Sequence, residues 1–439
     1  MKRNVREMIV DVLLAVETGG MLNETVATIA LQYDLEERER ARLSATVKMV
    51  QERRIPVDML IQHLGKRHVA KLRPLIRSIL RAGITELLYM HQAAHAVCNE
   101  YVSLVKHRKM VGLSGFVNGI LRRVDREREA MYRFIETLPV AARCGIPLWI
   151  DQMIRSEYGG DAADAFLQVR PEPGLRVRLI GDPMPLMKEL ASEGYTVTVS
   201  TENPAAVHIA ACSDPNSLAA FRRGEMTVQD LSSTLPVLYL APLLAGREAP
   251  RILDLCAAPG GKTAQAAEIP GARVTARDRS LAKVEKIREN IKRLHLLNVE
   301  TSVGDAREDV PAFHDAFDAV ICDLPCSGIG LIHRKPELRH RIQPEDIGQL
   351  STLQRTILSQ AVRYVRPGGF LVYSTCTVSA RENEAQSAYL TGFMTPIGEA
   401  IQRIPGRDAG DGFYVAVFQR RETGAEKKLE KNGINDTIK

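Results

Sequence analysis

No apolar run in this chain of 439 residues approaches the roughly 18 that cross a bilayer, so a helical membrane span is excluded. Cysteine is sparse and odd in number, seven in all, which argues against a disulfide framework. No Cys-x-x-Cys pair occurs. Cys322 and Cys326 are close in sequence, but Cys322 lies in a strand-like run that would turn it away from the sheet's end, so no metal site is expected. A secretory signal is missing as well: Met1-Lys-Arg-Asn-Val-Arg-Glu leads into an amphipathic pattern containing Asp11 and Glu17, and a cytoplasmic location is expected. The glycine-rich turn at 258–263 lacks the first glycine of a phosphate-wrapping loop, since position 256 is Cys, and it lacks the spacing of a dinucleotide fingerprint.

What the chain does contain is charge asymmetry. Residues 1–140 hold 23 Lys/Arg against 16 Asp/Glu, a balance of +7, although the whole chain carries only +6. Such a skew suggests a polyanionic partner for the first third, with a solvated helical surface as the plain alternative. That third reads as helices: Leu75, Ile76, Ile79, Leu80 and Ile84 recur at helical spacing, and Pro74 suits a first turn. No acidic residue stands between Asp58 and Glu86, while Lys66, Arg67, Lys71, Arg73, Arg77 and Arg81 accumulate. Arg77 and Arg81 share a helix face with Arg73 at its entry, and these three are the candidate contacts to such a polyanion. Lys106-His-Arg-Lys109 and Arg122-Arg123 form further basic clusters.

The length suggests two or three domains, and 45% hydrophobic residues are enough for sizeable cores. A hinge is expected around Leu138–Pro147. A small α+β module follows to about Leu235, with strand patterns at 175–180, 195–199 and 206–209. From Arg251 strands and helices alternate: strands near 251–256, 272–277, 298–302, 317–323 and 369–375, helices near 262–269, 280–295 and 348–366. This predicts a parallel sheet covered on both faces, with a late, antiparallel strand at 412–418 and a charged, disordered tail at 422–439.

Ligands of such sheets sit outside the carboxyl ends of the strands. Asp254-Leu-Cys-Ala-Ala-Pro-Gly-Gly-Lys-Thr263 is a strand-to-helix turn whose glycines admit a ligand to the backbone. Asp278 ends the second strand, where an acid takes ribose hydroxyls, and Asp305 follows the third, in reach of an adenine amine. In succession they predict an S-adenosylmethionine site. Two thiols come next: Cys326 in Asp323-Leu-Pro-Cys-Ser and Cys376 in Ser374-Thr-Cys-Thr, each just past a strand-like run. Both could be small buried hydrophobes, the usual fate of free cysteine. Their polar, loop-like flanks (Pro325, Ser327, Thr375, Thr377) favour chemistry instead. Cytosine C5 is too weak a nucleophile to attack a methyl sulfonium; a thiolate adding to C6 makes C5 enamine-like. The polar-Pro-Pro-aromatic run of enzymes that methylate exocyclic nitrogens is absent.

These motifs resemble the RNA cytosine-C5 methyltransferase family, in particular its bacterial branch acting on 16S ribosomal RNA. The resemblance rests on Val228-Gln-Asp-Leu-Ser-Ser233, Leu253–Thr263, Asp278, Gly304-Asp305, Cys322–Gly328, Tyr373–Thr377, Glu382-Asn-Glu384 and Asp411-Gly-Phe413. It implies a cofactor site of Cys256, Ala257, Ala258, Pro259, Gly260, Gly261, Lys262, Asp278, Asp305 and Asp323. It further implies Cys376 as nucleophile and Cys326 as the thiol that assists product release. DNA cytosine methyltransferases use the Pro-Cys cysteine instead, so the reverse assignment stays open. Asp323 is implied at the Watson–Crick edge of the base, and Lys262 in orienting base or cofactor. Ser280 departs from relatives that carry a second acid there, which leaves the ribose contact on Asp278.

The first third resembles the RNA-binding NusB family, through Cys98-Asn-Glu-Tyr101 and Gly115-Phe-Val-Asn-Gly-Ile-Leu121. The expected organisation is therefore multidomain. An all-α NusB-like domain at 1–140 and a small α+β connector at 141–235 precede an α/β Rossmann-like class I methyltransferase at 236–421. The expected partner is 16S rRNA, free or in an assembling small subunit, bound by a monomer. A tRNA target and a non-catalytic assembly role are the alternatives.

Overall fold

The computed structural model describes residues 4–212 and 214–421; the tail at 422–439, with its expected disorder, lies outside them. The chain divides into two compact units, Met1–Gln168 with Ile332–Ile342, and Val169–Leu331 with Gln343–Lys439. Among the described residues no helix is long and apolar enough to cross a membrane.

The first unit is helical throughout. Asn4 caps the helix Val5–Glu17 by accepting from the Arg6 backbone N–H at 2.9 Å. Pro74 opens Pro74–Leu88 as expected, and Ile76, Ile79, Leu80, Ile84 and Leu87 of that helix are buried in the unit's core. Gly83 is required in it, because a Cβ there would stand 2.7 Å from the Leu121 side chain of the helix Ser114–Arg126. Within this core Glu86 is buried with Arg6 (2.6 Å) and accepts from the Tyr101 hydroxyl at 2.9 Å. A buried charge of this kind is tolerated only with its partners in place.

The helices do not stop at 140. Leu148–Tyr158 and Gly160–Gln168 continue the same unit, and the expected hinge is the short helix Val140–Arg143 followed by a tight turn. Within that segment Gly145 lies at φ +71, and a Cβ there would fall 1.8 Å from the Glu52 carbonyl oxygen. Ile332–Ile342 completes this unit as a strap. Arg339 donates to the carbonyls of Ile332 (2.9 Å), Cys144 (3.2 Å), Glu52 (3.3 Å) and Gly145 (3.4 Å), so one guanidinium closes several open carbonyls. His340 shares a 2.9 Å hydrogen bond with the Gln51 carbonyl, and burial pushes its pKa down to about 3.

The second unit holds two sheets. The smaller is antiparallel, order β2-β3-β1-β4, from β1 (Gly174–Leu179), β2 (Val197–Val199), β3 (Ala206–Ala210) and β4 (Met226–Val228). The larger comprises β5 (Arg251–Asp254), β6 (Arg273–Asp278), β7 (Val299–Val303), β8 (Phe317–Asp323), β9 (Val365–Thr375), β10 (Met394–Arg403) and β11 (Phe413–Arg420). Its order is β10-β11-β9-β8-β5-β6-β7, with β5 to β9 parallel and β10 and β11 antiparallel at one edge. From β5 the chain winds outward to β6 and β7, then returns to β8 and β9 on the other side. That reversal between β5 and β8 opens a crevice at the carboxyl ends, where such folds bind ligands. The small sheet is fixed to the large one: Arg178 of β1 pairs with Glu268 at 2.7 Å, and Arg293 donates to the carbonyls of Phe221 and Met226.

Candidate active site

Four sequence motifs converge at the carboxyl ends of β5, β6, β8 and β9. The turn after β5 carries Gly260 at φ +105, which only glycine adopts readily, and leads into the short helix Gly261–Ala267. Thr263 Oγ1 donates to Asp254 Oδ2 at 2.7 Å, whereas the buried Asp254 Oδ1 has no partner among the described residues. Burial in this apolar strand end pushes the Asp254 carboxyl up to about 7.

Asp278 is buried at the end of β6 and accepts from the Ala258 N–H (3.3 Å) and the Ser280 N–H (3.4 Å), which brings its carboxylate against the β5 turn. Asp305 is placed differently. Arg307 of its own loop grips both carboxylate oxygens at 2.6–3.0 Å, and that contact lowers its pKa to about 2. Asp305 thus meets any ligand with a cation already on it.

Lys262 is the hub. Its Nζ donates to Asp323 Oδ2 at 2.7 Å and to Ser233 Oγ at 2.9 Å, and stands 5.4 Å from the Phe413 ring centre. Asp323 also accepts from Ser374 Oγ at 2.9 Å. Ser233 and Phe413 were visible in the sequence only as members of resembling motifs, and nothing in the local pattern assigned them to this ammonium. Cys256 sits in the same turn, its thiol pushed up by burial.

The two thiols meet. Cys326 Sγ and Cys376 Sγ lie 3.3 Å apart, although 50 residues separate them, because β8 and β9 are adjacent and parallel with Asp323 opposite Ser374. Contact with Cys376, together with burial, pushes the Cys326 thiol well up. Cys322 is buried in the body of β8, as its strand register required.

The expected arginine face does not form. Arg73 is exposed, but Arg77 donates to Glu17 at 2.8 Å and to the Leu72 carbonyl at 3.2 Å. Arg81 is buried and grips both oxygens of Asp58 at 2.7 and 2.8 Å, with Glu17 at 3.5 Å. The helix face was read correctly, but its partners come from other helices. Arg81→Ala should therefore cost on the order of 3 kcal/mol of stability, the scale of breaking a buried ion pair from one side. Chemical denaturation checks this, and the salt slope of RNA binding should stay unchanged.

Residues 241–419 match the family model described as 16S rRNA methyltransferase RsmB/F, and residues 3–126 match the NusB family. The chain is 31% identical over 441 residues to ribosomal RNA small subunit methyltransferase B of Klebsiella pneumoniae (strain 342), spanning 96% of this chain and 99% of that one. The chain belongs to the RsmB/F methyltransferase family. The protein of the same name from Xylella fastidiosa (strain 9a5c) is 31% identical over 92% of this chain and 97% of its own. Among solved structures, PH0851 superposes with a TM-score of 0.79 at 22% identity, over 96% of this chain and 100% of that one. NSun6 from Pyrococcus horikoshii with SFG gives 0.54 at 21% identity, over 62% of this chain and 98% of that one. At these identities the likeness is one of fold.

S-adenosylmethionine is the cofactor of this family, and the RsmB/F residues here fit it. Asp254 Oδ1 offers a buried acceptor without a donor, and Asp278 brings a second carboxylate to the glycine turn. When bound, the cofactor supplies an electrophilic methyl group.

Proposed function

We propose that this chain methylates C5 of a cytosine in small-subunit ribosomal RNA through a covalent thiol adduct. The observation that carries the reading is the pair of thiols 3.3 Å apart beside the cofactor turn, with Lys262 and Asp323 next to them. The thiolate of Cys376 adds to C6 of the base, forming an S–C6 bond and an enamine-like C5. C5 takes the methyl group, a base then removes the C5 proton, and the S–C6 bond breaks to return the thiolate. Cys326 assists that release. The Asp323 carboxylate, held by Lys262 and Ser374, presents an acceptor to the exocyclic amine of cytosine. Cytosine in a duplex hides C6, so the target is unpaired or flipped out.

The relatives named for the small ribosomal subunit support this substrate, and the NusB-like helices support an RNA partner, held in the cytoplasm by a monomer. Exposed Lys66, Arg67, Lys71 and Arg73 at one end of the helix Pro74–Leu88 offer cations to its phosphates. Asp278 is assigned to the ribose hydroxyls. Asp278→Ala should weaken binding of S-adenosylhomocysteine at least about tenfold, the loss of roughly one charge-assisted hydrogen bond; an unchanged Kd by calorimetry would move the ribose elsewhere.

Bisulfite sequencing of small-subunit rRNA, with and without the gene, tests the whole reading. Loss of one protected cytosine is the expected result. An unchanged pattern there, with a change in tRNA, would move the substrate.

A further inference from the structure

Past the end of β9 the chain runs Cys376-Thr-Val-Ser-Ala-Arg-Glu382-Asn383, and the last two residues turn back onto both cysteine loops. Glu382 is fully buried, and among the described residues no cation pairs with it in a salt bridge. Its carboxylate is met instead by Ser327, the residue after Cys326, and by Thr377, the residue after Cys376. Oε1 accepts from the Ser327 N–H at 2.8 Å. Oε2 accepts from Ser327 Oγ at 2.6 Å and lies 3.4 Å from Thr377 Oγ1. Asn383 fixes the same stretch from the other side, accepting from Thr375 Oγ1 at 2.5 Å and donating to the Thr377 carbonyl at 3.1 Å.

A buried, unpaired carboxylate is costly, and burial raises its pKa, so a merely structural tie would be better made by an amide. What a carboxylate does that an amide cannot is accept at both oxygens. With Ser327 Oγ and Thr377 Oγ1 only 2.7 Å apart, an acceptor-only group sets the order of the hydroxyl protons: Thr377 donates to Ser327, and Ser327 donates to Glu382. Glutamine would place its amine against either the Ser327 N–H or Ser327 Oγ, and would lose one contact or reverse the order.

We propose that Glu382 is a positioning residue of the thiol pair, its carboxylate tying the Cys326 loop to the Cys376 loop and thereby holding the two sulfurs in contact. This deepens the covalent-thiol reading and rests on it for its purpose. The geometry, however, can be tested without RNA or cofactor. Diamide converts a close thiol pair to a disulfide, taking up the two electrons and two protons that the thiols lose. In the full-length protein, diamide should link Cys326 to Cys376 rapidly, as mapped by mass spectrometry. Glu382→Gln should slow that link at least tenfold while the melting temperature stays within a few degrees.

A second readout is electrostatic. The negative charge of Glu382 contributes to the high pKa of the Cys326 thiol, so in Glu382→Gln the pH profile of iodoacetamide alkylation at Cys326 should move to lower pH. A role confined to fold stability would not move that midpoint. Unchanged linking in Glu382→Gln, an unmoved alkylation profile, or no linking in the native protein would each overturn the proposal. Linking as expected in a protein that leaves C5 unmethylated would sink the functional reading and spare the geometric one.

Discussion

Replacing Cys376 with alanine is expected to abolish turnover while leaving the fold in place. The substitution removes one sulfur from a half-buried position at the end of β9, and no hydrogen bond of the strand ladder depends on it. Its chemical effect is far larger. Without addition at C6 the C5 carbon stays part of an aromatic ring and does not attack a methyl sulfonium at a useful rate. Loss of a covalent nucleophile costs on the order of 10⁶ in turnover. Transfer of a labelled methyl group to small-subunit rRNA is the measurement. Full activity in Cys376→Ala would hand the nucleophile's part to Cys326. Contact with Cys376, together with burial, pushes the Cys326 thiol up, against the thiolate form that attacks.

The second large effect is a trapped intermediate. In Cys326→Ala the thiolate of Cys376 remains, so addition and methyl transfer proceed. The adduct then has lost the group that stood 3.3 Å from the bonded sulfur and assisted its departure. A denaturant-resistant band of protein on RNA should accumulate, approaching one RNA per protein, and it should require the cofactor. The double variant Cys326→Ala, Cys376→Ala should give no band, because no thiol is left to bond C6. Absence of the band in the single variant would remove Cys326 from the release step. A band in Cys376→Ala instead would reverse the two assignments.

Much of this site was legible because strand ends are legible. Asp254, Asp278 and Asp323 each close a run of strand-forming residues, with Cys326 three residues further on, and the rule that ligands gather at carboxyl ends collects them without coordinates. What local pattern does not encode is strand order. The meeting of Cys326 and Cys376 follows from β8 lying beside β9, which only the resemblance to a known family implied in advance. Arg77 and Arg81 failed for a related reason: their helix face is right, but Glu17 and Asp58 reach it from elsewhere in sequence and neutralise it. Strand β10 was not anticipated in the sequence, where Pro396 and Gly398 interrupt any strand pattern. They are tolerated there because β10 is an edge strand whose register shifts between Ile397 and Ile401. The helix Leu231–Leu244 was likewise not anticipated, and it contains Pro236 and Pro242, which disfavour a helix interior.

The strap Ile332–Ile342 has a consequence for the order in which the protein is made. The chain passes from one compact unit to the other at three junctions, after Gln168, after Leu331 and after Ile342. Synthesis runs from the N-terminus, so the helices are complete in sequence long before they are complete in structure. Until Arg339 leaves the ribosome, the carbonyls of Glu52, Cys144 and Gly145 have no guanidinium to meet. A gene fragment ending at codon 168 therefore encodes an unfinished helical unit, and the last piece of that unit is translated only after Cys326, the first of the two adjacent thiols.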